Sequence, residues 1–305
     1  MREIRQVLFP TDFSPCAEQA LPFATELARR HGARLHLFHA VVFRADDPFD
    51  AAHFFPQPEE VLRLVRESAQ KELARLATDR PGCTVALRDA KGRGMSAVPA
   101  ILSYLDEQAI DLVVMGTHGG RAGQLLGSVT EQVVRHARCA VLTVRQSEAG
   151  GTFRPFRRVL VPVDFSAQSR EALATARELA AADSGSVDLL HVLAAPIYPA
   201  FYGLNGVYEA QPMEDPQVLR QRARQGLEEL ARQAGGPAVP EQLWLEDGLP
   251  AAEIERFARS HESDLIVLPS HGLTGVERFL LGSTAERVLH FAPCPVWILK
   301  PTKNA

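Results

Sequence analysis

The sequence predicts an α/β protein made of two copies of one domain, each with an open parallel sheet. One observation is an internal repeat: residues 6–14 (QVLFPTDFS) return as 158–166 (RVLVPVDFS), and residues 111–119 (DLVVMGTHG) return as 264–272 (DLIVLPSHG). The repeat distance of roughly 150 residues is the size of a domain and exceeds the unit of a solenoid. The other observation is that short apolar runs alternate with amphipathic segments, which is typical of strands covered by helices on both faces.

The start of each repeat is predicted to be a strand, a turn and a helix. The first strands are residues 7–9 and 159–161, and each ends just before an aspartate, Asp12 or Asp164. Ser14 and Pro15 are typical of a helix N-cap and of the first helical position. Gly32 is typical of a helix end, because glycine adopts the left-handed conformation without strain.

The rest of each repeat alternates predicted helices with predicted strands. The further strands are residues 35–42, 84–88, 111–115 and 140–145 in the first repeat, and 187–193, 242–246, 264–268 and 296–300 in the second. Apolar residues at helical spacing precede the third strand of each repeat. A Gly-Gly pair and a proline separate the repeats. We therefore expect domains at residues 1–147 and 157–305, joined by a linker at 148–156.

Composition excludes several classes of protein. The net charge of −4 gives no electrostatic reason to expect nucleic acid as a partner. The four cysteines form no CxxC pair, which argues against a zinc site or a disulfide framework and favours a reducing compartment. The sequence has no apolar run of membrane-spanning length and no apolar leader segment. The expectation is a soluble, cytoplasmic protein without a membrane partner.

Two segments at the predicted carboxyl ends of strands are candidates for a ligand site. Residues 10–12 close the first strand, and residues 116–119 close the fourth. The next helix is predicted to begin near Gly127 and Ser128, and a helix start offers unpaired N–H groups that suit a phosphate. Structural roles are the alternative. The aspartate is also typical of an Asx-turn, and Ser128 with Glu131 is typical of a capping box.

Glycines at these positions, with an aspartate after the first strand, give the chain a resemblance to tandem universal stress proteins. The nucleotide-binding members of that family have the motif Gly, two residues, Gly, nine residues, then Gly-Ser or Gly-Thr. The resemblance implies a parallel sheet of order 3-2-1-4-5 in each Rossmann-like domain, and a site for ATP or another adenine nucleotide. It places the nucleotide against Pro10, Thr11, Asp12, Ala40, Val41, Met115, Gly116, Gly119, Gly127, Ser128, Val129 and Thr130. No catalytic residue and no metal ligand is implied.

Both repeats depart from that motif. In the first repeat, seven residues and not nine separate Gly119 from Gly127. The second repeat keeps the spacing, but Pro269 stands where the first glycine belongs, and proline has no N–H to donate. Val163 also replaces Thr11, which removes a hydroxyl. The first repeat is therefore predicted to be the better nucleotide site.

Three functions agree with these residues. The leading one is a regulatory module that binds an adenine nucleotide and passes its state to a signalling protein. The second is a scaffold that binds a protein or another small ligand, and the third is a weak ATPase. The final strands of the two repeats are apolar, and at an edge they would invite pairing. We expect them to pair antiparallel in an internal pseudo-dimer, and a homodimer of the whole chain remains open.

Overall fold

The computed structural model describes residues 3–42, 58–90, 96–117, 126–145, 152–194, 215–271 and 281–301. The chain folds as two compact units. The first unit contains Arg2–Arg154, Glu277–Leu281 and Cys294–Ala305, and the second contains Pro155–Val276 and Gly282–Pro293. The last strand of the second repeat therefore belongs to the first unit.

The elements alternate along the chain as predicted. They are β1 (Gln6–Pro10), α1 (Pro15–His31), β2 (Arg34–Val41), α2 (Pro58–Ala77), β3 (Thr84–Asp89), α3 (Ala97–Glu107), β4 (Leu112–Gly116), α4 (Ser128–His136), β5 (Ala140–Val144), β6 (Arg158–Pro162), α5 (Ala167–Ala182), β7 (Ser186–Leu193), α6 (Pro216–Gln233), β8 (Glu241–Asp247), α7 (Pro250–Ser260), β9 (Leu265–Pro269), α8 (Ser283–Phe291) and β10 (Val296–Leu299). None of the helices in the described ranges is long and apolar enough to cross a bilayer.

The sheet of the first unit has the expected order β3-β2-β1-β4-β5, and these five strands are parallel. The strand β10 extends this sheet by pairing antiparallel with β5, and Trp297 lies opposite Leu142. The predicted antiparallel pairing of the two final strands is confirmed. In the second unit, the strands β9, β6, β7 and β8 are parallel neighbours in that order.

The predicted ends of α1 are confirmed. The Ser14 hydroxyl accepts a hydrogen bond from the Ala17 amide at 3.2 Å, which satisfies one of the N–H groups left unpaired at a helix start. The helix ends at Gly32, whose φ of 60° is left-handed. In the second repeat, the Ser166 hydroxyl caps α5 by accepting from the Ser169 amide at 3.1 Å.

An aspartate at the amino end of the fourth strand ties the first strand of each repeat in place. The Asp111 carboxylate accepts from the backbone N–H groups of Arg5 and Gln6 at 2.8 and 2.9 Å. Asp264 does the same for Arg157 and Arg158. These bonds hold the amino ends of neighbouring strands together in both repeats.

Candidate functional site

The candidate site of the first repeat lies at the carboxyl ends of β1, β2 and β4. The strand β1 is central, and it pairs with β2 on one side and with β4 on the other. The strand order therefore reverses its direction at β1. Open α/β sheets bind ligands at such a switch point, beyond the carboxyl ends of the strands. The structure brings together at this edge the predicted residues that end or follow these strands: Pro10, Thr11, Asp12, Ala40, Val41, Met115 and Gly116.

Two overlapping side-chain bonds form the turn after β1. The Thr11 hydroxyl accepts from the Phe13 amide at 2.9 Å, and the Asp12 carboxylate accepts from the Ser14 amide at 3.0 Å. The second bond is the predicted Asx-turn, which is confirmed. Phe13 sits at a φ of 61°, a left-handed value that is costly for a residue with a bulky side chain. Asp12 remains exposed at the tip of this turn.

His39 supports the turn from β2. Its Nδ1 lies 2.8 Å from the Thr11 carbonyl oxygen, and its ring stacks on Phe13 with centroids 4.5 Å apart. A carbonyl can only accept, so Nδ1 carries the hydrogen. Burial is the largest effect on His39 and lowers its pKa. The hydrogen bond to Thr11 and the charge of Asp12 act in the opposite direction. His39 is thus a satisfied polar group near the end of β2. No sequence pattern singled out Phe13, although Phe165 repeats both its left-handed backbone and its histidine contact.

The backbone after β2 is partly engaged within the protein. Ala40 and Val41 are buried, and the Val41 carbonyl accepts from the Ala90 amide at 2.9 Å. A carbonyl oxygen has two lone pairs, so Val41 keeps one acceptor site for a ligand donor. Met115 is buried near the end of β4.

Gly116 is required by a close approach of α1. A Cβ built on it would lie 2.8 Å from the Cys16 carbonyl oxygen and 3.1 Å from the Ala17 nitrogen. The Gly116 carbonyl in turn accepts from the buried Thr130 hydroxyl at 2.8 Å, which fixes the start of α4 beside the end of β4. Packing against α1 therefore explains the glycine at this position, whether or not a ligand also contacts it. Pro269 carries a Cβ at the equivalent position, so the second repeat cannot reproduce this approach.

The first turn of α4 has no side-chain cap. The N-cap is Gly127, whose own N–H donates to the Thr117 carbonyl at 2.7 Å, and the first helical residue is Ser128. The capping-box prediction is therefore wrong, because Ser128 lies one position too late and Glu131 pairs with Arg135 at 2.9 Å.

Three N–H groups are left at the start of α4. They belong to Ser128, Val129 and Thr130, and no described residue accepts from them. By contrast, serine hydroxyls cap α1 and α3. Unpaired N–H groups and the positive end of a helix dipole together attract anions.

The second repeat has the same framework with different side chains. The helix α8 begins at Ser283 after Gly282, whose N–H donates to the Ser270 carbonyl at 2.8 Å. Its N-cap also lacks a side-chain bond, so the capping-box prediction is wrong here too. Since α4 and α8 begin at equivalent residues, the shorter loop of the first repeat is not offset by a later helix start. Gly119 and the loop residues 118–125 and 272–280 lie outside the described residues.

No group of three or more metal-ligating side chains occurs within the described ranges. The groups present at the carboxyl ends of these strands are the exposed Asp12 carboxylate, the buried Met115 side chain and three amide donors at the start of α4.

Comparison with known proteins gives a family match over both repeats. The model of the Universal stress protein family matches residues 3–145 and 155–300. Universal stress protein MJ0531 of Methanocaldococcus jannaschii is 33% identical over 149 residues, which are 49% of this chain and 85% of that protein. A putative universal stress protein of Staphylococcus epidermidis is 30% identical over 146 residues, 48% of this chain and 84% of its own.

Solved structures match the whole chain. A universal stress protein from Archaeoglobus fulgidus has a TM-score of 0.63 at 20% identity and covers 98% of this chain and 97% of its own. A putative universal stress protein from Pseudomonas aeruginosa has a TM-score of 0.62 at 19% identity, with 98% and 94% covered. At such identity, these two likenesses show the fold.

Proposed function

The chain belongs to the universal stress protein family, and from that premise we propose that its first repeat binds an adenine nucleotide, with ATP as the expected ligand. The protein would act as a regulatory binding module in the cytoplasm, where occupancy of the site changes its association with a signalling protein. The observation that carries this proposal is the uncapped start of α4 beside the carboxyl ends of β1 and β4.

The phosphates would bind at the start of α4. The N–H groups of Ser128, Val129 and Thr130 are available there, whereas the Gly127 amide is already donated to Thr117. Hydrogen bonds to charged groups contribute about 1.5–3 kcal/mol each, so these donors can account for much of the affinity for a phosphate. Gly119 would add a further contact from the loop.

The adenosine would bind between the ends of β1, β2 and β4. The exposed Asp12 carboxylate can accept from ribose hydroxyls, the second lone pair of the Val41 carbonyl can accept from the adenine amino group, and Met115 offers an apolar surface. None of these groups lies in the shortened loop. We therefore expect adenosine recognition to depend less on that loop than triphosphate recognition does.

The second repeat is proposed not to bind ATP in this way. Pro269 supplies no N–H and carries a Cβ where Gly116 has none, and Val163 lacks the hydroxyl of Thr11. One nucleotide per chain is the expected stoichiometry.

Removal of one amide donor from α4 tests the proposal. Ser128→Pro removes the N–H at the first helical position, where proline is favoured, and Gly127 already has the extended backbone (φ −65°, ψ 141°) that precedes a proline. Calorimetric titration of the full chain should show about a ten-fold weaker affinity for ATP, the loss expected for one charge-assisted hydrogen bond. The affinity for adenosine should stay unchanged.

Two controls separate the contributions. Ser128→Ala keeps the amide and removes only the hydroxyl, so any difference between the two variants reports the amide. Ser283→Pro makes the same change at the first residue of α8 and should leave ATP binding intact. If the unmodified chain binds neither ATP nor ADP nor AMP, or if Ser283→Pro abolishes binding in place of Ser128→Pro, the proposed function is wrong.

A further inference from the structure

The two repeats differ in how they hold the aspartate that follows their first strand. In both, the aspartate accepts from the amide of the N-cap serine, at 3.0 Å for Asp12 and at 3.1 Å for Asp164. The difference arises at the third helical residue, which is Ala17 in α1 and Ser169 in α5. Both side chains are buried.

In the second repeat, Ser169 binds Asp164 twice. Its hydroxyl donates to the Asp164 carboxylate oxygen Oδ1 at 2.7 Å and accepts from the Asp164 amide at 3.2 Å. The Ser166 hydroxyl completes the cluster by donating to the Ser169 oxygen at 3.3 Å. The carboxylate of Asp164 is thus held toward the helix by both a backbone donor and a side-chain donor.

In the first repeat, Ala17 has no group that can make these bonds. Among the described residues, the Asp12 carboxylate accepts only from the Ser14 amide, and no acceptor is recorded for the Asp12 amide. Asp12 is exposed, whereas Asp164 is only partly exposed. An ionised carboxylate has about four acceptor positions, so Asp12 retains most of its capacity for a ligand.

Ser169 does not replace the bond that Thr11 makes. The Thr11 hydroxyl accepts from the Phe13 amide, and Val163 removes that acceptor in the second repeat. If Ser169 compensated for this loss, it would bind the Phe165 amide. Its recorded partners are instead Asp164 and Ser166. The hydroxyl therefore acts on the aspartate and not on the amide that Val163 leaves behind.

We propose that the third residue of the first helix in each repeat determines whether the aspartate is available to a nucleoside. Ala17 leaves the Asp12 carboxylate available to the ribose hydroxyls, and Ser169 withdraws the Asp164 carboxylate from the corresponding position. Ala17 and Ser169 are positioning residues that act through the aspartate. This inference rests on the proposed nucleotide site of the first repeat. Besides Pro269, it gives a second reason to expect that the second repeat does not bind ATP in the same way.

Transfer of the serine to the first repeat is the test. In the full chain, Ala17→Ser should lower the affinity for ATP, and equally for adenosine, by about ten-fold, because a donor to the carboxylate competes with the ribose. Ala17→Cys, which adds a bulkier atom but only a weak donor, should lose clearly less. Thermal unfolding confirms that each variant is folded before titration.

A double-mutant cycle with Asp12→Ala, which removes every acceptor at that position, distinguishes an effect through the aspartate from a general disturbance of the helix start. When Asp12 is already replaced, adding Ala17→Ser should cost no further affinity. An equal loss of affinity in both backgrounds, or no loss in either, would overturn the inference. The proposed function would still stand if the unmodified chain binds ATP.

Amide hydrogen exchange gives a readout that needs no ligand. The Asp164 amide should exchange more slowly than the Asp12 amide, and Ser169→Ala should remove the difference, since Ser169 is its acceptor. If the unmodified chain binds no nucleotide, the proposed function fails, and this measurement still tests whether the Ser169 hydroxyl holds Asp164. Equal exchange of the two amides, unaffected by Ser169→Ala, would refute the role given to the hydroxyl.

Discussion

The end of the second helix is built differently in the two repeats, although the physical requirement is the same. The last carbonyls of a helix have no partner within it and need donors from elsewhere. In the first repeat, Arg80 follows α2, donates to the Leu76 carbonyl of that helix, and reaches Thr25 of α1 at 3.0 Å. The arginine and the carbonyl here belong to the same chain segment.

In the second repeat, the arginine comes from the other helix. Arg177 of α5 donates to the carbonyls of Ala231 and Ala234 at 2.7 and 2.6 Å, and forms a two-pronged ion pair with Glu241. Gly235 also accepts, at 3.0 Å. Arg177 thus joins α5, the end of α6 and the start of β8.

The comparison shows that the repeats preserve a contact and not a residue. Thr25 of the first repeat corresponds to Arg177, and Arg80 corresponds to Ala234. In the sequence, these are two unrelated substitutions. In the structure, the two substitutions are coupled. The arginine follows the second helix in the first repeat and lies on the first helix in the second repeat, and in both it donates to carbonyls at the end of the second helix.

The largest effect is expected from removal of the second-repeat arginine. The Arg177 and Glu241 side chains are only 11% and 17% exposed, so Arg177→Ala leaves a mostly buried carboxylate and several carbonyls without donors. Breaking such a pair from one side costs about 3–5 kcal/mol in the free energy of unfolding. Arg80→Ala, which breaks two neutral acceptor bonds, should cost only about 1–2 kcal/mol. Urea unfolding of both variants checks the ranking, and equal losses would contradict the assigned difference.

A smaller effect is expected from a methyl group at the end of β4. In Gly116→Ala, the new Cβ would lie 2.8 Å from the Cys16 carbonyl, so α1 or β4 must shift. Overpacking of this kind costs about 1–3 kcal/mol. Pro269→Ala is the matched variant in the second repeat, where a Cβ is already present, and should change stability by much less. A stability of Gly116→Ala equal to that of the parent chain would show that the helix start can move freely.

The smallest effect is a pH dependence at Lys300, whose equivalent in the first repeat is Arg145. Burial lowers the pKa of Lys300 to about 8 from 10.5, while its ammonium donates to the carbonyls of Val134 and Arg135 at the end of α4. Between pH 8 and pH 10.5 the unfolded chain binds more protons than the folded chain, so Lys300 makes stability rise with pH across that window. We expect about 1–2 kcal/mol, less than the full pKa difference implies, because the carbonyls favour the charged form.

Lys300→Arg gives the matched control for that dependence. Arginine remains protonated throughout the window, so the variant should lack the rise that the parent chain shows. Burial raises the pKa of Cys139 to about 12, above this window, so its thiol stays neutral in the folded form of both proteins and its effect cancels in the difference. Parallel curves of unfolding free energy against pH would mean that Lys300 does not titrate in this window.

Much of the local structure follows from short-range signals in the sequence. Ser14, Pro15 and Gly32 set the ends of α1 through bonds and backbone angles that involve only a few neighbouring residues. The Asx-turn at Asp12 is equally local. The strand order came from the resemblance to a family, since apolar runs alone do not say which strands are neighbours.

The start of α4 shows where such signals fail. Ser128 and Glu131 have the spacing of a capping box, yet Gly127 is the N-cap. The reason is tertiary: the Thr117 carbonyl holds the Gly127 amide, and the Thr130 hydroxyl binds the Gly116 carbonyl. Those contacts place the helix one residue earlier than the local pattern predicts, and leave its first amides without a side-chain cap.

Repeats and local patterns in the sequence predict two equivalent α/β domains, and the family resemblance of their motifs marks Asp12 and the glycines of the first repeat as the candidate site. These properties depend on periodicity and on residues close together in the chain. Folding alone reveals that Gly116 is needed for the close approach of Cys16, and that Ser169 binds the Asp164 carboxylate whereas Ala17 offers Asp12 no such bond. Each of these depends on atoms brought within a few ångströms by folding, at distances that spacing along the chain does not encode.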